Sequence, residues 1–294
     1  MPKELHFVTL DVFTSDIFAG NPLPDDDQQA ICQRQKQAIA REFNYSETIF
    51  IHPVASEASS KRKIDIFMTT KELPFAGHPT IGAAFWLLCL SPHETERNAT
   101  KMLTTKAGDI AISRSLDSAV VSVTIPHNVH LHKERFPVAE VLRLHPSLRP
   151  FLEADGLGSN GYSVLSVVKG MTVIPVELPS VAASAAIRLI NLYFFVRNVP
   201  DGGRAVIRTR MLLGTFEDAA TGSSAVGLGL YLSLYDQGRG TGTRHEYDIV
   251  QGVEMGRKSN IGVQVVLTDD SKRVETVKLS GGAVKVSEGQ IRLN

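Results

Sequence analysis

Residues 77–88, GHPTIGAAFWLL, and residues 222–234, GSSAVGLGLYLSL, carry one pattern twice. In each, a glycine precedes a small polar or imidazole side chain, a second glycine falls five positions on, and an apolar run follows. Gly77 and Gly82 thus match Gly222 and Gly227, at an offset of 145 residues in a chain of 294, the spacing a duplicated domain leaves. Each run is apolar on nearly every face, which predicts a helix buried all round. The first N–H groups of such a helix lack intrahelical partners and attract anions. The expectation is two inner helices over 77–90 and 222–235, each inside its own sheet, with both starts facing one cleft that holds a small anionic metabolite. The bland alternative, two core helices whose glycines only permit close packing, fits either run alone. The pairing argues against it. Neither run has the spacing of a Rossmann fingerprint or a P-loop.

The length points to two domains rather than one. With 31 basic and 31 acidic residues the chain is formally neutral, which argues against a nucleic-acid binder. The compact basic cluster Lys61-Arg62-Lys63 reads as a solvated loop or strand entry. Cys32 and Cys89 are too few for a disulfide framework and fit a reducing, cytoplasmic setting, with Cys89 a buried thiol in its apolar run. The N-terminus alternates apolar and polar residues and reads as a strand, not a signal peptide. No stretch is long and apolar enough to cross a bilayer, so no membrane partner is expected.

Short branched or aromatic runs bounded by turn residues predict strands at LHFVTLDVF, ETIFIHP, KIDIFMTT, GDIAISRS and AVVSVTIP. Between the first two, DDDQQAICQRQKQAIAREFN suits an amphipathic surface helix with Ile31, Ala38, Ile39 and Phe43 inward. In the second half, SVLSVVKGMTVIPV reads as one or two strands, VAASAAIRLINLYFFVRN as a helix running into a strand, and AVIRTRMLL as a strand. After the second glycine run, EYDIVQG, NIGVQVVLTDD, RVETVKLSGG and AVKVSEGQIRL supply more. HPSLRPFLEADGLGSNG reads as a loop.

Several blocks in order then carry a family resemblance: DVFTSDIFAGNPL near the start, AIAREFNYSETIFI around Glu47, ELPFAGHPTIGAA at 72–84, EDAATGSSAVGLGLYL at 217–232, QGVEMGRKS at 251–259 and GGAVKVSEGQIRL at the end. Over nearly its whole length the chain resembles the PhzF-like (phenazine biosynthesis-like) isomerases, related in fold to diaminopimelate epimerase. The resemblance implies an α+β protein of two similar domains, each a curled antiparallel β-sheet or barrel around a central buried α-helix. The expected boundaries are 1–118, completed by the C-terminal strand 283–294, and 119–282, and a homodimer is expected.

By motif, Glu47 in NYSET matches the family's acid/base carboxylate. Gly77 and His78 in AGHPT, Asp218 in EDAATGS, and Gly222 with Ser223 match its cleft residues. The implied catalytic set is Glu47, His78 and Asp218, and the implied substrate-binding set is Gly77, Gly222 and Ser223. A single carboxylate can take a proton from carbon and return it elsewhere on the same molecule if burial tunes its pKa, and such an isomerisation needs no cofactor. His78 and Asp218 can relay that proton or hydrogen-bond the substrate. Read without the motifs, Glu47 is a polar residue opening a strand, His78 a hydrogen-bonding residue at a helix start, Asp218 a cap residue and Ser223 a routine helix-start serine.

No metal is expected: His127, His130 and His132 lack an HExxH or cysteine pair and read as a polar connection between domains. A Ser-His-Asp hydrolase lacks its GxSxG elbow. A cysteine-pair racemase is excluded because neither cysteine opens a glycine run. Four departures from the family pattern bear on the pocket. PDDDQQ follows GNPL where a small apolar strand is usual, which predicts a missing or shortened strand. Ala219 and Lys258 each replace a usual proline, and the loop before Glu217 looks short. Two functions remain: a cofactor-independent isomerase moving a proton within a small carboxylate, or a catalytically secondary ligand-binding or protein-interaction member.

Overall fold

The computed structural model describes the chain except residues 1–2, 28–30, 55, 156–159, 169–170, 186, 188–191, 214–215, 237–241 and 294. It forms two compact units, one of Met1–Pro126 with Leu279–Asn294 and the other of His127–Lys278.

The first unit contains β1 (Lys3–Val12), β2 (Asn21–Asp27), α1 (Gln33–Phe43), β3 (Thr48–Ile51), β4 (Lys61–Phe67), β5 (Glu72–Leu73), α2 (Gly77–Phe85), α3 (Glu94–Ala99), β6 (Met102–Thr105), β7 (Gly108–Arg114) and β8 (Val121–Thr124). Its strands pair in the order β8-β7-β6-β4-β3-β2-β1 and end on the C-terminal strand Ala283–Leu293, which runs antiparallel to β1 from Lys3↔Leu293 to Val12↔Ala283. The pairing is mostly antiparallel. The β2–β3 and β4–β6 pairs are parallel, because α1 and α2 respectively lie within those connections and return the chain in the same direction. Helix α2 packs on β1, β2 and β3 near one end of this order and on β7 and β8 at the other, so the sheet curls around it. All nine of its residues are buried. It continues as a wider π-type turn over Trp86–Leu90, so the inner helix covers the expected span with a change of pitch.

Strand β2 corrects the expectation of a missing strand after GNPL. Residues Asn21–Asp27 pair with β1 on one side and β3 on the other, because a ladder joins backbone groups and three consecutive aspartates still supply N–H and C=O. Helix α1 buries Ile39 and Ala40, with Ile31 just before it, against Leu5, Phe50 and Phe67. Phe43 packs at the edge of this cluster, whereas Ala38 is exposed and Lys36 is buried in its place. Residues 28–30 of the expected helix lie outside the described residues.

The second unit contains β9 (His130–Leu131), α4 (Val138–Leu144), α5 (Arg149–Asp155), β10 (Leu165–Val168), β11 (Met171–Val173), β12 (Pro175–Glu177), α6 (Val181–Ala185), β13 (Leu192–Asp201), β14 (Arg204–Leu213), β15 (Phe216–Asp218), α7 (Gly222–Leu234), β16 (Arg244–Gln251), β17 (Ser259–Leu267) and β18 (Val274–Gly281), whose last residues cross the unit boundary. One sheet runs β12-β13-β14-β16-β17 with β15 on β14, and a separate one runs β11-β10-β9. Helix α7 packs on β16 and β17 of the first and on β10 and β11 of the second, so it too is enclosed. The stretch read as a loop at 145–161 holds a 3-10 turn, Pro146–Leu148, and α5. Leu148 and Leu152 lie four apart and bury together with Val141, Phe194 and Leu212, which is what makes this stretch helical. Its residues 156–159 lie outside the described residues, as do 186 and 188–191 of the expected helix-to-strand stretch and 214–215 of the loop before Glu217.

The second glycine of each run is a packing requirement. A Cβ on Gly82 would lie 2.2 Å from Leu23 Cδ2 in β2, and one on Gly227 would lie 2.3 Å from Val173 Cγ1 in β11. Both separations are far inside van der Waals contact. Gly82→Ala and Gly227→Ala are therefore each expected to cost about 1–3 kcal/mol by overpacking, read as a lowered thermal midpoint. An unchanged midpoint in both would mean the helices sit more loosely than described.

Candidate active site

Glu47 stands at the mouth of β3. Helix α1 ends when Asn44 takes a left-handed conformation with its N–H on the Ala40 carbonyl, and the chain turns through Tyr45 and Ser46 before Thr48 joins the sheet. His78 is the second residue of α2, whose start is left without a side-chain cap at Ala76. The two meet, with His78 Nε2 3.6 Å from Glu47 Oε2 and the side chains 5% and 16% exposed. Glu47 Oε2 is buried and has no hydrogen-bond partner among the described residues. Burial pushes the Glu47 carboxyl above its ordinary range, and a hydrogen bond with the Ser46 side chain opposes this only in part.

Asn21, the first residue of β2, orients the histidine. Ser46 Oγ lies 3.5 Å from Asn21 Oδ1, and the Asn21 amide nitrogen lies 3.4 Å from His78 Nδ1. An Asn21 N–H donated to Nδ1 goes with the tautomer of a neutral His78 that carries its proton on Nε2, the nitrogen facing Glu47. The loop leading into Asn21 is tied down, since Asp11 Oδ2 accepts from the Phe18 N–H at 2.6 Å and Thr14 Oγ1 from the Asp16 N–H at 2.9 Å. It holds Phe18 in a left-handed conformation (φ 66°) with its side chain 73% exposed.

Asp218, Gly222 and Ser223 gather in the second unit, at the start of α7. Asp218 closes β15 opposite Met211, is buried, and accepts a 2.6 Å hydrogen bond from Thr221 Oγ1. Gly222 is buried and Ser223 half-buried. The QGVEMGRKS motif wraps this loop. Gln251 Nε2 donates to the Asp218 carbonyl at 2.8 Å, and Ser259 Oγ donates to the Ala219 carbonyl at 3.0 Å. Gly252 has φ 74°, and a Cβ there would lie 2.6 Å from the Ala219 carbonyl oxygen. Only glycine fits both demands. Lys258, where proline is usual, pairs with Asp201 at 2.6 Å and holds that carboxyl below its ordinary range.

The sequence-derived residues thus fall into two groups, Glu47 and His78 with Gly77 in the first unit, and Asp218, Gly222 and Ser223 in the second. Asn21, Ser46, Thr221 and Gln251 were missed as functional candidates, although each lies inside or beside a motif quoted for the family. The three histidines lie at the start of the second unit, which begins at His127. His130 lies in β9, His132 Nε2 is 2.8 Å from Ser166 Oγ, and His127 Nε2 is 3.4 Å from the Val274 carbonyl. Among the described residues no group of three or more His, Cys, Asp or Glu is placed to hold a metal. The basic cluster is not wholly solvated: Arg62 is buried against Glu96, and Lys61 pairs with Asp109 at 2.6 Å. Cys89 is half-buried, and burial pushes the thiol above its ordinary range against the opposing effect of Arg114. No helix of the described residues is long and apolar enough to cross a membrane.

Comparison with known proteins places these features. The profile of the phenazine biosynthesis-like protein family, PhzC-PhzF, matches residues 10–289. The trans-2,3-dihydro-3-hydroxyanthranilate isomerase of Pseudomonas chlororaphis is 30% identical over 298 residues, covering 98% of this chain and 99% of that protein. An uncharacterized isomerase of Mesorhizobium japonicum is 29% identical over 311 residues, covering 97% and 98%. Among solved structures, a Bacillus anthracis phenazine biosynthesis protein of the PhzF family superposes with a TM-score of 0.80 at 19% identity, over 99% of this chain and all of that one. A probable proline racemase of Agrobacterium radiobacter shares the fold at a TM-score of 0.59 and 11% identity, over 99% of this chain and 93% of that one. The two β-rich units around buried helices, the motifs and the profile agree, and the chain belongs to the phenazine biosynthesis-like PhzC-PhzF family of isomerases.

Proposed function

We propose that this protein is a cofactor-independent isomerase that moves a proton within a small carboxylate-bearing metabolite, with Glu47 as the group that carries it. The observation behind this is the state of Glu47: a buried carboxyl, raised in pKa by desolvation, with one oxygen lacking a hydrogen-bond partner among the described residues and facing the His78 Nε2 side. In the proposed step the Glu47 carboxylate accepts a proton from a carbon of the substrate, the electron pair shifts along the adjoining double bond, and the now neutral Glu47, its acid proton exchanging with water while it is held, delivers a proton to the far carbon. Atoms and charge balance within one molecule. The raised pKa narrows the gap between carboxyl and carbon acid, which is how burial serves such a transfer. His78, protonated on Nε2, donates to the substrate or steadies the Glu47 charge.

Asp218 is proposed as a hydrogen-bond acceptor for substrate, and Gly77, Gly222 and Ser223 as positions whose backbone and hydroxyl groups bind carboxylate. The lack of a side-chain cap on both helix starts suits an anion there. The same reading takes the protein as a cytoplasmic homodimer, which sedimentation and cell fractionation test.

The compound named for the Pseudomonas relative, trans-2,3-dihydro-3-hydroxyanthranilate, is a cyclic carboxylate and is the first probe. A panel of small carboxylates including it is expected to contain at least one that raises the melting temperature and is converted to an isomer of equal mass. A stabilising ligand with no conversion would favour the binding-protein reading instead.

A further inference from the structure

Gln251 is fully buried, and each of its four hydrogen-bonding positions is used within the second unit. Its Oε1 accepts from the Thr221 N–H at 3.2 Å and from the Tyr193 hydroxyl at 3.1 Å. Its Nε2 donates to the Asp218 carbonyl at 2.8 Å and to Thr221 Oγ1 at 3.0 Å. The amide cannot be turned over, because the Thr221 N–H can only donate and the Asp218 carbonyl can only accept. That fixes the direction of the next bond. Thr221 Oγ1 accepts a hydrogen bond from Gln251 and donates its own single proton to Asp218 Oδ2, 2.6 Å away.

We infer that Thr221 and Gln251 are positioning residues, a one-way hydrogen-bond chain that presents Asp218 at the start of α7 as a hydrogen-bond acceptor. A threonine free to rotate would offer Asp218 either a proton or a lone pair. Gln251 takes one of the two hydroxyl lone pairs and so favours the arrangement in which the hydroxyl proton points to Asp218. The chain is anchored in the core by Tyr193, whose hydroxyl also lies 3.1 Å from Thr209 Oγ1. Burial, and then the Asp218 charge, push the Tyr193 phenol upward, so it stays a neutral donor. The neighbouring carboxylate, Glu217, is held by Arg210 through two bonds of 2.8 and 2.7 Å. It leaves the Thr221 hydroxyl to Asp218.

The consequence for Asp218 as a substrate-facing group rests on the proposed function, but the test does not use turnover. The Asp218 carboxyl carbon is followed by NMR in protein labelled at aspartate, assigned by its loss in Asp218→Asn, and titrated with acid. Thr221→Val keeps the shape and removes the donor, so the Asp218 midpoint is expected to rise by roughly half to one pH unit, while Thr221→Ser keeps the wild-type midpoint. Gln251→Met is expected to raise it too, and the Thr221→Val, Gln251→Met double variant to raise it no further than Thr221→Val, because Gln251 acts on the Asp218 carboxylate only through the Thr221 hydroxyl. If Gln251→Met does not fold, the Thr221 pair decides alone. An unmoved midpoint in Thr221→Val, an equal shift in Thr221→Ser, or additive shifts in the double variant would overturn the inference. If the shifts appear and Asp218→Asn still turns the substrate over at the wild-type rate, the chain stands and the catalytic assignment of Asp218 falls.

Discussion

Glu47→Gln is expected to lower turnover by roughly 10²–10⁴-fold, the usual worth of a positioned acid/base, while changing substrate affinity little. Glutamine keeps the shape and the reach toward Ser46 but cannot take up a proton at this position. Stability should move the other way, if at all. Because burial raises the folded-state pKa of Glu47 above its unfolded value, its contribution to stability is fully present below the unfolded value and is lost as pH rises through the folded one. At neutral pH the wild type therefore bears a desolvation cost that the neutral glutamine lacks, and the variant should melt at or slightly above the wild-type temperature. Steady-state kinetics on the converted carboxylate, with thermal melts at pH 7, read both effects. A large drop in melting temperature would mean that Glu47 is a structural group and that lost activity reflects lost fold.

The largest stability effect is expected beneath α1. Lys36, the buried basic residue of that helix, makes an ion pair with Asp65 of β4, and His52 Nε2 reaches the same carboxylate oxygen at 2.8 Å. Lys36 also lies 5.8 Å from the centre of the Phe50 ring. Burial alone would push the Asp65 carboxyl up, but the hydrogen bonds and charges of His52 and Lys36 outweigh it and hold the group well below the carboxylate range. Asp65→Asn leaves the Lys36 ammonium buried without its counter-charge, at a cost of roughly 3–5 kcal/mol. Replacing both partners, as in Lys36→Met with Asp65→Asn, should recover much of that loss, since a buried pair contributes little over apolar packing of the same volume. The sign with pH follows from the lowered pKa: the contribution is present above the unfolded aspartate value, about 3.9, and is lost as pH falls below it toward the folded one. Denaturant melts of wild type and Asp65→Asn should therefore differ most at neutral pH and converge in strong acid. Parallel curves at every pH would show that the pair does not titrate as described.

What was legible in the sequence was whatever a side-chain pattern encodes by itself. The two glycine runs marked both enclosed helices, because a helix buried all round must be apolar all round and must drop a Cβ where Leu23 or Val173 presses against it. Strands with branched or aromatic residues, such as β1, β13 and β17, announced themselves for the same reason. Strand β2 did not, because three aspartates occupy it and its place comes from backbone pairing with β1 and β3. Helix α5 was hidden by the turn-forming residues around it, and its packing partners Phe194 and Leu212 lie far along the chain. At the candidate site, Glu47, His78 and Asp218 carry chemistry in their residue types. Asn21, Thr221 and Gln251 act through directed hydrogen bonds, and no local pattern reveals that a glutamine in β16 will reach back to residue 218. The family motif QGVEMGRKS contained it without saying why.

The central claim is that one carboxylate, Glu47, takes a proton from carbon and gives one back. The most direct measurement places wild type and Glu47→Gln in deuterium oxide with the carboxylate that the protein converts, and follows deuterium entering its carbon positions by proton NMR. The account predicts deuterium at the carbon that gains a proton in the wild-type reaction, and incorporation slowed in Glu47→Gln by the same factor as turnover. Equal incorporation by the two proteins would contradict it, because a different group would then be moving the proton.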